Sequence, residues 1–304
     1  MSTGVYNKTV SNLVEDSLRV ASISGIEISV ESSDFAQGFS ALNDLLAAWQ
    51  AKQIHIWSET EAIMPLNAGQ SKYVFGTDHA FTDYQYTTAE SATLGATTLD
   101  VGSTTGALAG DFIGIELSTG VRQWTTVDTV TDADTFELTD ALEAAVTDGA
   151  SVYVYRTKCD IPVRFLGIRY SDNYTADEIP TWQISRQEYY DQTSKTAKGA
   201  INQWYYSRQL TNPYLNVWPT ANSCTNLVRF TFIKPQYVSE DQAENVQVPP
   251  EWYNAIKWQL AADLGAVYNI DANKQMLLEQ KAQIYLNDAI GSDTDFSNIQ
   301  FVCR

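Results

Sequence analysis

The sequence predicts an α+β chain: a mainly helical core, interrupted by a small all-β insertion (a barrel or a sandwich) and followed by an extended C-terminal arm. Three observations carry this prediction. Apolar residues recur at helical spacing near both ends of the chain. Between residues 88 and 155 the composition shifts to Thr, Ala, Gly, Val and Asp, with short apolar runs parted by turn residues. Beyond Gly291 the sequence is polar, with apolar residues standing singly. The expected organisation is a discontinuous helical core over 1–87 and 156–290, the β-rich insertion over 88–155 and the arm over 291–304.

The elements follow in order. Residues 9–22 read as an amphipathic helix, because Val10, Leu13, Val14, Ser17, Val20 and Ala21 recur at its period. Residues 34–53 form a second: Phe35, Phe39, Leu42, Leu46 and Trp49 step by four and three along one stripe. Asp34 stands as its N-cap, with Gln37 placed as in a capping box. Residues 54–57 read as extended, with His55 in a structural role. Short strands are expected at 63–66 and 73–76, around an Asn67-Ala68-Gly69 turn. Inside the insertion, strands are expected at 97–101, 112–117, 123–127, 135–138 and 152–155. Residues 160–170 read as extended and then helical, and 214–218 and 227–233 as strands, the latter alternating Val228, Phe230 and Phe232 with Arg229 and Thr231. Pro249-Pro250 opens a helix whose Trp252, Ile256, Leu260, Leu264 and Val267 line one face. Asp271 caps a last helix reaching to about residue 290, with Leu278, Ala282, Tyr285 and Ala289 on one face and Gly291 as its C-cap. The segment beyond, with Phe296, Ile299, Phe301 and Val302, is either a frayed terminus or a docking arm.

Charge narrows the function classes. Lys and Arg number 19 against 37 Asp and Glu, a net charge of −18. Such a chain is poorly suited to coat nucleic acid, where affinity comes from cations neutralising phosphates, or to adhere to an anionic membrane. No apolar run is long enough to span a bilayer, and the opening MSTGVYNKTV lacks the order of a signal peptide, so no membrane partner is expected. Half of the net charge sits in residues 88–156: eleven acids of the insertion against Arg122 and the adjoining Arg156 give 2 − 11 = −9. That acidity serves plain solubility, repels DNA or docks a basic partner.

Chemistry-bearing motifs are few. Cys159, Cys224 and Cys303 are three and far apart, and His55 and His79 are the two histidines, so neither a disulfide framework nor a zinc site is expected. Phosphate-binding glycine loops and the G-x-S-x-G elbow are missing. Asp132-Ala-Asp134 fails as a calcium loop, since Phe136 and Glu137 stand where an oxygen ligand and a glycine are needed. The sequence therefore carries no catalytic, cofactor or metal assignment. The strongest enzymatic alternative is a glycosidase-like or carbohydrate-binding protein. It needs only two carboxylates and stacking aromatics, and residues 182–218 carry Trp182, Tyr189, Tyr190, Trp204, Tyr205, Tyr206, Tyr214 and Trp218. These aromatics serve that role only if they lie exposed in a row.

The order of several segments resembles a known family. These are the Ala41–Trp49 stretch, Pro65-Leu66 with Tyr73-Val74-Phe75-Gly76, Ile161–Leu166, Ile184–Tyr189, Trp204-Tyr205-Tyr206, Leu215–Pro219, and Val248-Pro249-Pro250-Glu251-Trp252 before two long helices. Together they resemble the head-to-tail adaptor (connector, or tail accessory) proteins of short-tailed bacteriophages, over about 9–87 and 156–290. Residues 88–155 have no counterpart in that pattern. The resemblance implies a virion protein of the neck, a ring of copies (a dodecamer) that joins the portal protein to the tail and passes double-stranded DNA without specific binding. It also implies no catalysis and no cofactor. Under it, the C-terminal arm docks on the portal through Phe296, Ile299 and Phe301, while Trp252 and Trp258 are candidates for the contact between subunits, with burial in the core as their plain alternative. The insertion would meet a nozzle or fibre protein of the tail, or its own neighbours. Another ring component of the tail, a tube or nozzle protein, is the remaining alternative.

Overall fold

The computed structural model describes residues 8–23, 30–52, 54, 59–235 and 248–292. The chain divides into two compact units, one from residues 1–58 with 236–304 and one from the contiguous 59–235.

The first unit opens with α1 (Val10–Ala21), capped by Thr9, whose hydroxyl accepts from the Asn12 N–H at 3.2 Å. Its buried face is Val10, Leu13, Val14, Ser17, Leu18 and Ala21. The next helix, α2 (Ser32–Ala51), starts two residues earlier than expected, and its N-cap Glu31 makes no side-chain cap. Asp34 and Gln37 thus lie inside the helix. Their side-chain oxygens face the Tyr268 hydroxyl at 2.7 and 3.0 Å, a tertiary contact in place of a capping box.

The second unit overturns the expectation of a mainly helical core. Residues 59–87 and 156–235, expected inside that core, fold as strands with one short helix. A middle sheet takes β1 (Glu59–Pro65), β9 (Arg164–Ser171), β10 (Ile179–Pro180) and β14 (Leu227–Ile233) in the order β1-β14-β9-β10. A second sheet takes β2 (Lys72–Val74), β11 (Trp182–Gln183), β12 (Gln203–Ser207) and β13 (Tyr214–Trp218) in the order β11-β12-β13-β2. The helix α3 (Arg186–Asp191) carries a complete capping box between Ser185 and Glu188. A third sheet holds β3 (Tyr84–Ala89), β4 (Thr98–Asp100), β5 (Phe112–Glu116), β6 (Arg122–Val130), β7 (Thr135–Leu138) and β8 (Ala150–Tyr155), ordered β3-β8-β5-β6-β7-β4.

Alternation decides these strands. Ala62, Met64, Val228, Phe230 and Phe232 put one face of the middle sheet into a core with Tyr73, Trp204, Leu215 and Val217 of the second sheet. Ile63 and Leu227, on the opposite face, pack against Tyr153 and Tyr155 of the third sheet. The unit is therefore a three-layer stack with the middle sheet covered on both faces. The helix expected within 160–170 is absent for the same reason: Phe165, Ile168 and Tyr170 enter the core while β9 pairs along β14. The third sheet curls into a half-barrel, so that Ala89 at the end of β3 bridges Val101 after β4. A bulge between Val127 and Thr129 adds local twist, and Ile113, Ile115, Val127, Phe136 and Val152 fill the concave side.

Gly114 is fixed by a close approach rather than a turn. A Cβ there would lie 2.4 Å from the ring of Trp124, its cross-strand partner. Gly114→Ala is expected to destabilise the protein by about 1–3 kcal/mol through overpacking, read as a lower denaturant midpoint with an unchanged slope.

The chain then returns to the helical unit with α4 (Trp252–Val267) and α5 (Ala272–Ser292). Asp271 caps α5 by accepting from the Asn273 N–H at 3.0 Å. Gly291 lies within that helix instead of ending it. The core joins Leu13, Leu42, Leu46, Trp49, Trp252, Ile256 and Leu260. The α4 helix is buried on two sides, since Ala261 and Ala262 meet Ala21 and Leu278 in a second cluster.

Candidate interaction surfaces

Cys159, Cys224 and His79 are each held by burial. Burial pushes the Cys159 thiol up to about 12, and raises Cys224 as well. The His79 ring stacks on Trp124 with centroids 3.8 Å apart and shares a 2.6 Å hydrogen bond with the Tyr155 hydroxyl. Burial, then the charge of Lys158, lowers its pKa to about 4. His79 is thus held neutral in the fold while the unfolded chain binds a proton near pH 6.5. Its stabilisation is complete above pH 6.5 and is lost as pH falls towards 4. Replacing His79 with Gln is expected to flatten the decline of Tm across that window, measured by thermal unfolding at a series of pH values. Among the described residues no group of three His, Cys, Asp or Glu is placed to hold a metal ion.

The aromatics of 182–218 do not form an exposed row. Tyr189 and Trp204 are buried, Tyr205, Tyr206, Tyr214 and Trp218 are half-buried, and only Trp182 and Tyr190 are exposed. Trp204 and Tyr206 turn towards the core beside Phe165. A polar cleft of about 290 Å³ opens elsewhere, lined by Tyr86, Glu116, Asp148, Ser151, Asn173 and Tyr174 among others. Its rings Tyr86 and Tyr174 stack on each other at 3.7 Å.

Two surfaces of opposite charge stand out instead. The second sheet turns Lys72 and Tyr214 away from the core, and α3 packs over it through Tyr189, which stacks on Tyr205. Lys72 lies 4.1 Å from the Tyr214 ring centroid, Arg186 5.6 Å from Tyr190, and Lys195 5.6 Å from both Tyr189 and Tyr190. The Tyr214 phenol is held below its ordinary value by a hydrogen bond with Ser207, against burial, and by Tyr190, Lys72 and Arg186. Those groups thus form one cluster. Among the described residues Lys72, Arg186 and Lys195 make no ion pair.

The other surface is the curled third sheet. Between Lys72 and Arg156 the only cationic residue of the sequence is Arg122, and it is buried. Asp100, Asp128, Asp132, Asp134, Glu137 and Asp140 are exposed on and around β4, β6 and β7. Asp111 is the buried exception. Its burial is outweighed by hydrogen bonds from Arg156 and the Leu108 N–H, which hold its pKa below the usual value.

The remaining expected site residues are dispersed. Trp252 is 1% exposed and meets Trp49 edge to face at 5.8 Å, which anchors α4 to α2. Trp258 is half-buried and stacks on Tyr285. Phe296, Ile299 and Phe301, with Val302 and His55, lie outside the described residues. The basic cluster escaped sequence reading because Lys72 is more than a hundred residues from Arg186. The signal available was the interleaving of Arg186, Lys195, Lys198 and Arg208 with Tyr and Trp in an otherwise acidic chain.

No family model and no curated protein matches the chain. Among solved structures, two phage proteins align with the chain. The tailspike protein gp49 from Pseudomonas phage LKA1 aligns at 17% identity and a TM-score of 0.22, over 30% of this chain and 16% of its own. VP17, a capsid protein of bacteriophage P23-77, aligns at 11% identity and a TM-score of 0.13, over 61% of this chain and 77% of its own. Scores of this size assign no shared fold. No described helix is long and apolar enough to cross a membrane.

Proposed function

We propose that this chain is a structural protein of a phage virion, and that its place is the head-to-tail joint, as a ring-forming adaptor between portal and tail. The supporting observation is convergence. Segments that carry the adaptor resemblance lie on both sides of residues 88–155, and the fold brings them together. Tyr73 and Phe75, from before the insertion, share a core with Phe165, Trp204, Leu215 and Val217, from after it. Leu42, Leu46 and Trp49 share another with Trp252. The third sheet, inserted between these segments, covers the other face of the middle sheet, with Tyr153 and Tyr155 against Ile63 and Leu227. A charge of −18 per copy suits a collar through which DNA slides, because bound phosphates would hold it by many additive contacts.

The test is to mix the purified chain with portal rings from the same genome and image the product by cryo-electron microscopy. A symmetric ring beneath the portal, twelvefold on this reading, is expected. A chain lacking residues 293–304 is expected to lose it if the arm is the dock. A ring that survives this truncation keeps the adaptor and moves the dock to the helical unit. No association with the portal, together with retention on a polysaccharide column, would overturn the proposal in favour of carbohydrate binding.

A further inference from the structure

We infer that neighbouring copies of this chain meet head to tail through opposite charge, the basic aromatic face around Lys72, Arg186 and Lys195 receiving the acidic β6–β7–β4 side of the next copy. This rests on the ring reading above and names the contact that would close it.

Three features of the contiguous β unit carry the inference. The first is complementarity: three cations without ion-pair partners among the described residues lie at one surface, and exposed carboxylates including Asp132, Asp134 and Glu137 at another that lacks exposed Lys or Arg. The second is placement. The basic face belongs to the second sheet and the acidic one to the third, and those sheets cover opposite faces of the middle sheet. Patches on opposite sides of one body cannot meet in a two-fold pair, where each patch faces itself. They make heterologous contacts, which close into a ring when the rotation allows. Self-pairing of the acidic side is further opposed by like charge. The third is anchoring. Tyr190, 47% exposed, stands beside Arg186 and Lys195. Trp182, 65% exposed, lies on the edge strand β11 of the same sheet, and exposed aromatics with Arg are the residues that anchor interfaces. Charge then supplies register and encounter rate, and added salt weakens the contact.

The experiment uses two triple variants of the full chain. One carries Lys72→Glu, Arg186→Glu and Lys195→Glu, and the other Asp132→Lys, Asp134→Lys and Glu137→Lys. Five of the six side chains are exposed. Lys195, half-buried, donates to the Tyr190 and Gln192 carbonyls at 2.9 and 3.3 Å, so a Lys72→Glu, Arg186→Glu double variant that keeps these bonds accompanies the triple one. Circular dichroism and Tm are expected to match the wild type in the double variant and the Lys variant. Ring assembly is followed on portal rings and, in sedimentation, without them. Each variant alone is expected to lose assembly by about tenfold or more. Mixed in equal amounts they are expected to recover it, because each altered surface then finds an opposite charge. Recovery by mixing cannot come from a misfolded variant. Rings from either variant alone would overturn the inference and leave the adaptor reading intact. A wild-type chain that forms no ring in either setting would overturn the adaptor reading itself. If instead a labelled single-stranded oligonucleotide binds the wild type, is lost from the Glu variant, and that variant still forms rings, the face is a nucleic-acid groove and the inference falls.

Discussion

Arg122→Met is expected to lower stability by about 3–5 kcal/mol, the combined cost of leaving several buried neutral acceptors without their charged donor at about 1–3 kcal/mol each. The guanidinium is buried in the third sheet and donates to the Gly114 and Ser151 carbonyls at 3.2 Å, the Ser151 hydroxyl at 2.8 Å and the Cys224 carbonyl at 2.9 Å. The last bond reaches out of its own sheet to the loop before β14. Glu116, paired opposite Arg122 across β5 and β6, accepts from the Ser151 N–H and hydroxyl. The row Glu116–Ser151–Arg122 therefore spans β8, β5 and β6. Methionine keeps much of the volume but no donor, and the acceptors are left buried without their partner. Denaturant unfolding checks the size of the effect. A loss under about 1 kcal/mol would show that water replaces the guanidinium at little cost.

The second large effect is expected at Trp252. Its ring and that of Trp49 are both fully buried and meet edge to face between α2 and α4. Trp252→Ala removes one ring and opens a cavity that the neighbouring helices fill only in part, at about 3–5 kcal/mol. The double variant with Trp49→Ala is expected to fall short of the sum of the singles by about 0.5–1.5 kcal/mol, the direct term of such a ring pair. Because the chain has two units, the helical signal is expected to melt below the temperature at which the near-ultraviolet signal of the β unit is lost. Coincident transitions would show that the units unfold as one.

Local pattern made most of the elements legible. The stripe Leu42–Leu46–Trp49 and the alternation Val228–Phe230–Phe232 report a buried face directly, and both lie where their spacing places them. Predictions failed where tertiary partners decide. Residues 160–170 contain apolar residues compatible with a helix, and only pairing with β14 makes them a strand. The predominance of helix was misjudged because the strands at 84–89 and 203–207 are mixed aromatic and polar runs, such as Tyr84-Gln85-Tyr86-Thr87, whose burial depends on sheets far away in sequence. Asp34 shows the same limit on a smaller scale, since a residue suited to capping found the Tyr268 hydroxyl instead. The charged surfaces were half visible. The acidity of the insertion is written in consecutive residues, whereas Lys72 joins Arg186 and Lys195 only through the pairing of β2 with β13.

The helical unit is assembled from both ends of the chain, with α1 packed on α4. During synthesis α1 and α2 emerge before the β unit, yet the helix they pack against begins at Trp252. At about 5–20 residues per second, the interval is on the order of 10–50 s. Throughout it the apolar stripe of α2 has no permanent cover, while the β unit, whose chain is continuous, can complete itself. The order of synthesis is therefore inverted by the order of folding: helices made before the β unit are completed only after it, and until α4 has emerged their apolar faces stay open to chaperone capture or misassembly.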